Sequence, residues 1–236
     1  MDVLQSFAQN GEDTLAWEYF GRKTSGYFVE VGANHPTRFS QSWFFEQRGW
    51  TGLLIEPIPS CCEALRRHRP HSRVVQAAAG ANDGEAVLNI ATSDAWSHIG
   101  AVKDVPIGMQ IPVKVRTLED ILQEVHAPPV DILSIDTEGS ELDVLIGLNL
   151  EKNRPALLLV EDHMDTLDVY FFLKRAGYKL AKRTAPNNWW IPRGGPPISR
   201  QLKEKVSLWN LLWLRKPRQR LRWLLSCLCR KELHTT

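Results

Sequence analysis

Residues 26–34 read Gly-Tyr-Phe-Val-Glu-Val-Gly-Ala-Asn, an apolar run that stops abruptly in a turn of small residues with a carboxylate just before it. Tyr27, Phe28, Val29 and Val31 are β-branched or aromatic and too few for a helix, so the segment reads as a strand covered on both faces. A strand of that kind demands layers above and below it, which commits the chain to an α/β sheet. Gly32 and Ala33 keep side-chain bulk out of the turn and would let a ligand reach the backbone amides. Asn34 stands where a dinucleotide site has its second glycine, and the third is missing as well. The phosphate cradle is therefore absent and a pyrophosphate ligand is disfavoured.

The next strand, residues 52–55, ends in Glu56 and Pro57, with Glu56 placed 24 residues after Gly32. A carboxylate at that distance, at the end of a second parallel strand, suits hydrogen bonds from both hydroxyls of a ribose. Glu30 adds an anion beside the turn, which favours a ligand carrying an ammonium or sulfonium charge and repels phosphate. The competing reading is an ordinary strand, turn and helix with solvated acids.

Helix and strand alternate along the rest of the chain. A first helix ends at Gly21. Ser40 is suited to cap a helix through Arg48, and Pro59 and Ser60 open another over residues 61–68, whose Arg66, Arg67 and Arg69 read as a solvated face. Residues 73–77 form a third strand, and the small residues 77–80 after it, Ala78 among them, would accept a flat aromatic ring. After the Asn82-Asp83-Gly84 turn, residues 85–91 predict an inserted antiparallel strand. Residues 92–110 show no period and read either as a substrate-facing loop or as disorder. Residues 111–115 are strand-like, and Thr117 caps a helix over 118–125. The strand at 130–135 carries Asp136, Thr137, Glu138 and Gly139 at its carboxyl end, followed by a helix over 140–148. The strand at 157–160 ends in Glu161, Asp162 and His163, so acids from several strand ends should share one crevice. A helix over 167–176 and strands at 178–183 and 189–191 close the pattern.

Five segments of this chain, SFAQNGED (6–13), FVEVGANHP (28–36), GWTGLLIEPIP (49–59), DILSIDTEGSE (131–141) and NWWIP (188–192), together resemble the FkbM family of S-adenosylmethionine-dependent O-methyltransferases. They recur in that family's order and span residues 4–192. The resemblance implies a class I, Rossmann-like fold: a seven-stranded, mostly parallel sheet with a closing antiparallel hairpin. It implies S-adenosylmethionine as cofactor, with Glu30, Gly32, Ala33, Asn34, Ser40, Glu56, Pro57 and Ala78 around it. It also implies that the N-terminal lead-in folds over the cofactor mouth, where Gln9 and Asp13 could touch the methionine end. The acceptor it implies is a hydroxyl on a saccharide or natural product.

Methyl transfer needs an aligned hydroxyl and a group to take its proton. Asp136 is the first candidate for that base, with Glu138 in the same turn and His163 and His35 as rivals. A divalent metal held by Asp136, Glu161 and His163 is the alternative mechanism, although no metal is the primary expectation. A non-catalytic methyltransferase-like subunit docking a glycan-assembly complex at the membrane is the alternative function.

Charge divides the chain at residue 192. Residues 1–192 hold 18 Lys and Arg against 25 Asp and Glu, whereas residues 193–236 hold 11 against 2. Beyond a Pro/Gly linker at 192–197, residues 202–214 and 218–228 set Leu and Trp (Trp209, Trp213, Trp223) opposite Lys and Arg, predicting a basic amphipathic helical tail as a separate region, 193–236. Such helices suit an anionic membrane surface, a protein partner or the domain itself, and nucleic acid is not expected. The cysteines, Cys61 with Cys62 and Cys227 with Cys229, lack the spacing of a zinc site. No leader or spanning segment is evident, so a cytoplasmic protein, peripheral on the inner membrane surface through its tail, is the expectation.

Overall fold

A computed structural model describes residues 4–91, 97–99, 107–164 and 166–198. The chain begins with α1 (Glu12–Tyr19), β1 (Tyr27–Val31), α2 (Trp43–Glu46), β2 (Thr51–Glu56), α3 (Pro59–His68) and β3 (Ser72–Gln76). It continues through β4 (Ala78–Gly80), β5 (Gly84–Ala91), β6 (Ser97–Ile99), β7 (Ile107–Thr117) and α4 (Leu118–Glu124). The last elements are β8 (Ile132–Ile135), α5 (Glu141–Ile146), β9 (Leu157–Glu161), α6 (Asp168–Arg175), β10 (Tyr178–Thr184) and β11 (Asn187–Pro192).

The apolar strands assemble into a seven-stranded sheet in the order β10-β11-β9-β8-β1-β2-β3. Neighbours from β9 through β3 run parallel, and β11 runs antiparallel to both β9 and β10. β1 is central because alternate residues bury in opposite layers. Val29 and Val31 pack with Leu53, Leu133 and the buried faces of α4, α5 and α6, while Phe28 packs with Leu54, Trp50 and Trp189 on the α1 side. Each such side chain, fully buried, contributes about 1.5–3 kcal/mol. Gly52 belongs to the same packing, because a Cβ there would run into the Phe28 ring.

At Ala77 the chain leaves the edge of the main sheet and β4 starts a second sheet, ordered β4-β7-β5-β6. The expected antiparallel insertion is β5 paired with β7 over most of its length. Parts of the unpatterned stretch at 92–110 belong to β6 and β7, and the remainder lies outside the described residues. The tail helices expected at 202–214 and 218–228 also lie outside them. Among the described residues no helix is long and apolar enough to cross a membrane.

Two local expectations are corrected. The helix expected from Ser40 to Arg48 is a single turn, α2. Ser40 Oγ does accept the N–H groups of Ser42 and Trp43, but it also donates to Glu30, so the backbone stays outside the helix until Trp43. Arg69 is not part of a solvated face. It is 1% exposed, with Nε 2.5 Å from Glu46 Oε2 and Nη groups donating to the Pro36 carbonyl, Ser40 Oγ and Ser42 Oγ. Glu46 in turn accepts from the His71 N–H and Ser72 Oγ.

Candidate active site

The carboxyl ends of β1, β2, β8 and β9 open onto one cleft of about 780 Å³, closed on its far side by residues 185–187 of the β10–β11 turn and by Gln9 and Asn10. Glu12 ties these two walls together, since its Oε1 accepts from Thr184 Oγ1 and Asn187 Nδ2, both at 2.9 Å. Ligands of open α/β sheets bind at this edge, and the volume suits a nucleoside-sized molecule.

The β1 turn is built differently from the sequence expectation. The N–H groups of Gly32 and Ala33 both donate to the Ile55 carbonyl, at 2.9 and 3.2 Å, and the Asn34 N–H donates to Glu56 Oε2 at 2.8 Å. All three amides are committed within the protein, so the turn offers no donor nest to an anion. Gly32 is required for a steric reason: φ is 82° and a Cβ would overlap the Asp136 carbonyl. Asn34, at φ 44°, occupies the left-handed region that asparagine tolerates.

Glu56 is 3% exposed and lines the cleft, with Pro57 and the buried Ala78 beside it. Its Oε1 accepts from the Ile58 N–H and its Oε2 from Asn34. Burial raises the pKa of this carboxyl, and the two N–H donors oppose that shift. Each oxygen keeps a further lone-pair direction for a ligand hydroxyl.

Glu30 also lines the cleft, but alternation along β1 sends its side chain into the α1–α2 layer. There it accepts hydrogen bonds from Ser40 Oγ, Ser42 Oγ and the Gln41 N–H. Ser40 is thus a partner of Glu30 behind the wall and does not itself line the cleft. Asp13 is likewise turned inward: its carboxylate accepts from Ser6 Oγ and from the N–H groups of Phe7, Ala8 and Thr14. Of the two lead-in candidates, Gln9 is the one at the cleft.

The opposite end of the cleft is acidic. Adjacent β8 and β9 bring Asp136 and Glu161 to neighbouring positions at this end of the cleft. Burial, and then the Glu161 charge, hold Asp136 well above the usual carboxylate range. Glu138 stands next to it at φ 53°, a strained conformation held because Glu141 Oε1 accepts from the N–H groups of Thr137 and Gly139 and from Thr137 Oγ1. Burial and the charges of Glu161 and Glu141 push Glu138 up to about 7.

The histidines differ in role. His163 is exposed, with Nε2 3.8 Å from Glu161 Oε1. His35 Nδ1 accepts the N–H groups of Thr37 and Arg38, at 3.1 and 2.9 Å, which places the proton of the neutral ring on Nε2. Burial and the neighbouring Arg38 and His68 lower its pKa. His35 is therefore a hydrogen-bond donor at the cleft and has no ring nitrogen available as a base. Among the described residues no three His, Cys, Asp or Glu side chains converge as a metal site.

A stability measurement tests the acid cluster. Between its ordinary value of 4.5 and about 7, Glu138 holds in the folded protein a proton that the unfolded chain has lost. Stability contributed by this group therefore falls as pH rises through that window, and Asp136 acts in the same direction. The melting temperature should drop between about pH 5 and about pH 8, and Glu138→Gln should flatten that drop. A melting temperature that rises across the range, or a variant with the full slope, would contradict the arrangement.

The topology and cleft define a class I methyltransferase fold. The model of the methyltransferase FkbM domain matches residues 30–180, and the chain belongs to the FkbM methyltransferase family. Comparison with curated proteins gives no match. Similar solved structures include a TehB-like SAM-dependent methyltransferase from Corynebacterium glutamicum, at 10% identity and a TM-score of 0.42, covering 78% of this chain and 88% of that one. The precorrin-6y C5,15-methyltransferase of Geobacter metallireducens is similar at 11% identity and TM-score 0.40, covering 80% and 90%. The N-terminal domain of human METTL16 is similar at 12% identity and TM-score 0.45, covering 80% and 70%.

The sequence pattern places Glu56, Asp136, Glu138 and His163 at one crevice, where all four are found. It marks Glu161 as one of the strand-end acids of that crevice and as a possible metal ligand, and Glu161 lines the cleft as well. Residues 185–187 and the Arg38–Phe39 rim escape it.

Proposed function

We propose that this protein transfers a methyl group from S-adenosylmethionine to a hydroxyl of a saccharide or natural product. The observation that carries the reading is the single cleft at the strand ends, which sets Asp136 and Glu161 together with the buried Glu56 carboxylate. S-adenosylmethionine supplies an electrophilic methyl on a sulfonium. Glu56 would accept hydrogen bonds from its ribose hydroxyls, and Ala77, Ala78 and Ala79 leave room for a flat ring. The acid cluster at the inner end of the cleft favours the sulfonium charge of the cofactor.

The Asp136–Glu161 pair can accept a hydrogen bond from the acceptor hydroxyl, orient that oxygen and take its proton, while the bound cofactor would give up its methyl by breaking the methyl–sulfur bond and leave as the neutral thioether. His163, beside Glu161, can relay that proton outward.

Asp136→Asn keeps the shape and removes a carboxylate oxygen that can take the proton. Methyl transfer from labelled S-adenosylmethionine into a cell-envelope glycan extract should fall about 100-fold or more, with cofactor affinity changed far less. Equal losses in both would make Asp136 a cofactor ligand. Undiminished transfer would remove it from the chemistry.

A further inference from the structure

Residues 34–40 form the rim of the cleft between the β1 turn and α2. Phe39 is 56% exposed and lies at φ 61°, a left-handed conformation that is a genuine outlier for a bulky residue. The loop around it is anchored on both sides. Arg69 Nη1 holds the Pro36 carbonyl at 3.1 Å, His35 Nδ1 holds the N–H groups of Thr37 and Arg38, and Ser40 Oγ donates to Glu30 at 3.0 Å. An apolar ring held out toward water, against backbone preference, by hydrogen bonds on both sides of it is a sign of use.

The Arg38 guanidinium lies over the Phe39 ring, 5.4 Å from its centroid, and is exposed. No carboxylate forms an ion pair with it among the described residues. His35, Arg38 and Phe39 all line the cleft. The rim therefore presents an apolar ring face, a cation and the His35 Nε2–H donor. The inner wall presents the carboxyl groups of Asp136, Glu138 and Glu161, which accept hydrogen bonds.

We propose that this rim is the acceptor subsite and that it takes an acidic saccharide. This rests on the methyl-transfer reading above and narrows its substrate class. A sugar ring lays its C–H face on Phe39, a carboxylate or phosphate substituent meets Arg38 and His35 Nε2–H, and its hydroxyls donate to the inner carboxyl groups. A neutral aromatic acceptor would use the ring but leave the cation unmatched and the acids without donors.

Phe39→Gly separates recognition from folding. Glycine relieves the left-handed strain, so its melting temperature should hold or rise by about 2–4 °C. The full-length protein, saturated with S-adenosylhomocysteine, is applied to immobilised acidic and neutral saccharides. Wild type should bind the acidic set, Phe39→Gly should bind it at least about tenfold more weakly, and Arg38→Gln should lose the preference for acidic over neutral sugars. Binding to neutral saccharides alone, no saccharide binding by wild type, or undiminished binding by Phe39→Gly would overturn the proposal. Titration with S-adenosylmethionine is read separately: wild type that takes the cofactor but no saccharide sinks this subsite alone, whereas failure to take the cofactor sinks the methyl-transfer reading.

Discussion

Gly32→Ala should lower the melting temperature by about 10 °C or more and abolish cofactor binding, the largest loss expected from one added methyl group in this chain. An L-residue at φ 82° is strained by about 1 kcal/mol. The steric clash is worse than that strain. The new Cβ would lie 1.8 Å from the Asp136 carbonyl oxygen, a backbone atom that cannot rotate away. Relief requires the ends of β1 and β8 to separate, which breaks the bond from the Asp136 N–H to the Val31 carbonyl and loosens those from Gly32 and Ala33 to Ile55. The same displacement moves Asp136 away from Glu161 and Asn34 away from Glu56. Circular dichroism melting and calorimetry would check both effects. A melting temperature within about 3 °C of wild type would show that the β1–β8 junction is not the rigid centre described here.

Arg69→Met should cost about 3–5 kcal/mol, because it leaves Glu46 buried without its cation. The guanidinium and the carboxylate are 1% and 3% exposed, so water cannot replace the lost partner. Combining Arg69→Met with Glu46→Leu should recover much of that stability, since removing both charges also removes their desolvation cost. Cofactor affinity should not recover with it. Pro36, Ser40 and Ser42 would still lack their donor, and the loop that buttresses Glu30 would remain loose. Chemical denaturation of the three variants gives the energies. A single variant as stable as wild type would mean the pair is dispensable.

What can be read in the sequence follows from locality. β1 declares itself because its own residues are apolar on both faces, and Glu56 and Asp136 declare themselves because each ends an apolar strand. The partners of those residues are less visible. The Asp136–Glu161 pair exists only because β8 and β9 are neighbours, and the commitment of the Gly32 and Ala33 amides to Ile55 exists only because β2 lies beside β1. Arg69 is a case in which the signal is present: Cys62, Leu65 and Arg69 follow at spacings of three and four, so the arginine, one residue past the end of α3, stays in line with its buried residues. The run of basic residues around it hides that. Ser40 is recognisable as a capping residue, but its bond to Glu30 delays the helix and shifts the start to Trp43. Phe39 gives no local sign of exposure, since its position depends on anchors from Arg69, His35 and Glu30.

The central claim is that the cleft at the strand ends binds S-adenosylmethionine with Glu56 at the ribose. Calorimetric titration of the full-length wild-type protein and of Glu56→Gln, each with S-adenosylmethionine and with NAD, tests it most directly. Wild type should bind S-adenosylmethionine at one site and leave NAD unbound, because the β1 turn has no amide free for a pyrophosphate. Glu56→Gln, confirmed as folded by its melting curve, should bind S-adenosylmethionine about 10- to 150-fold more weakly, the range for about 1.5–3 kcal/mol of charge-assisted hydrogen bonding. Equal affinity in the two proteins, or wild type that binds NAD in preference, would contradict the account.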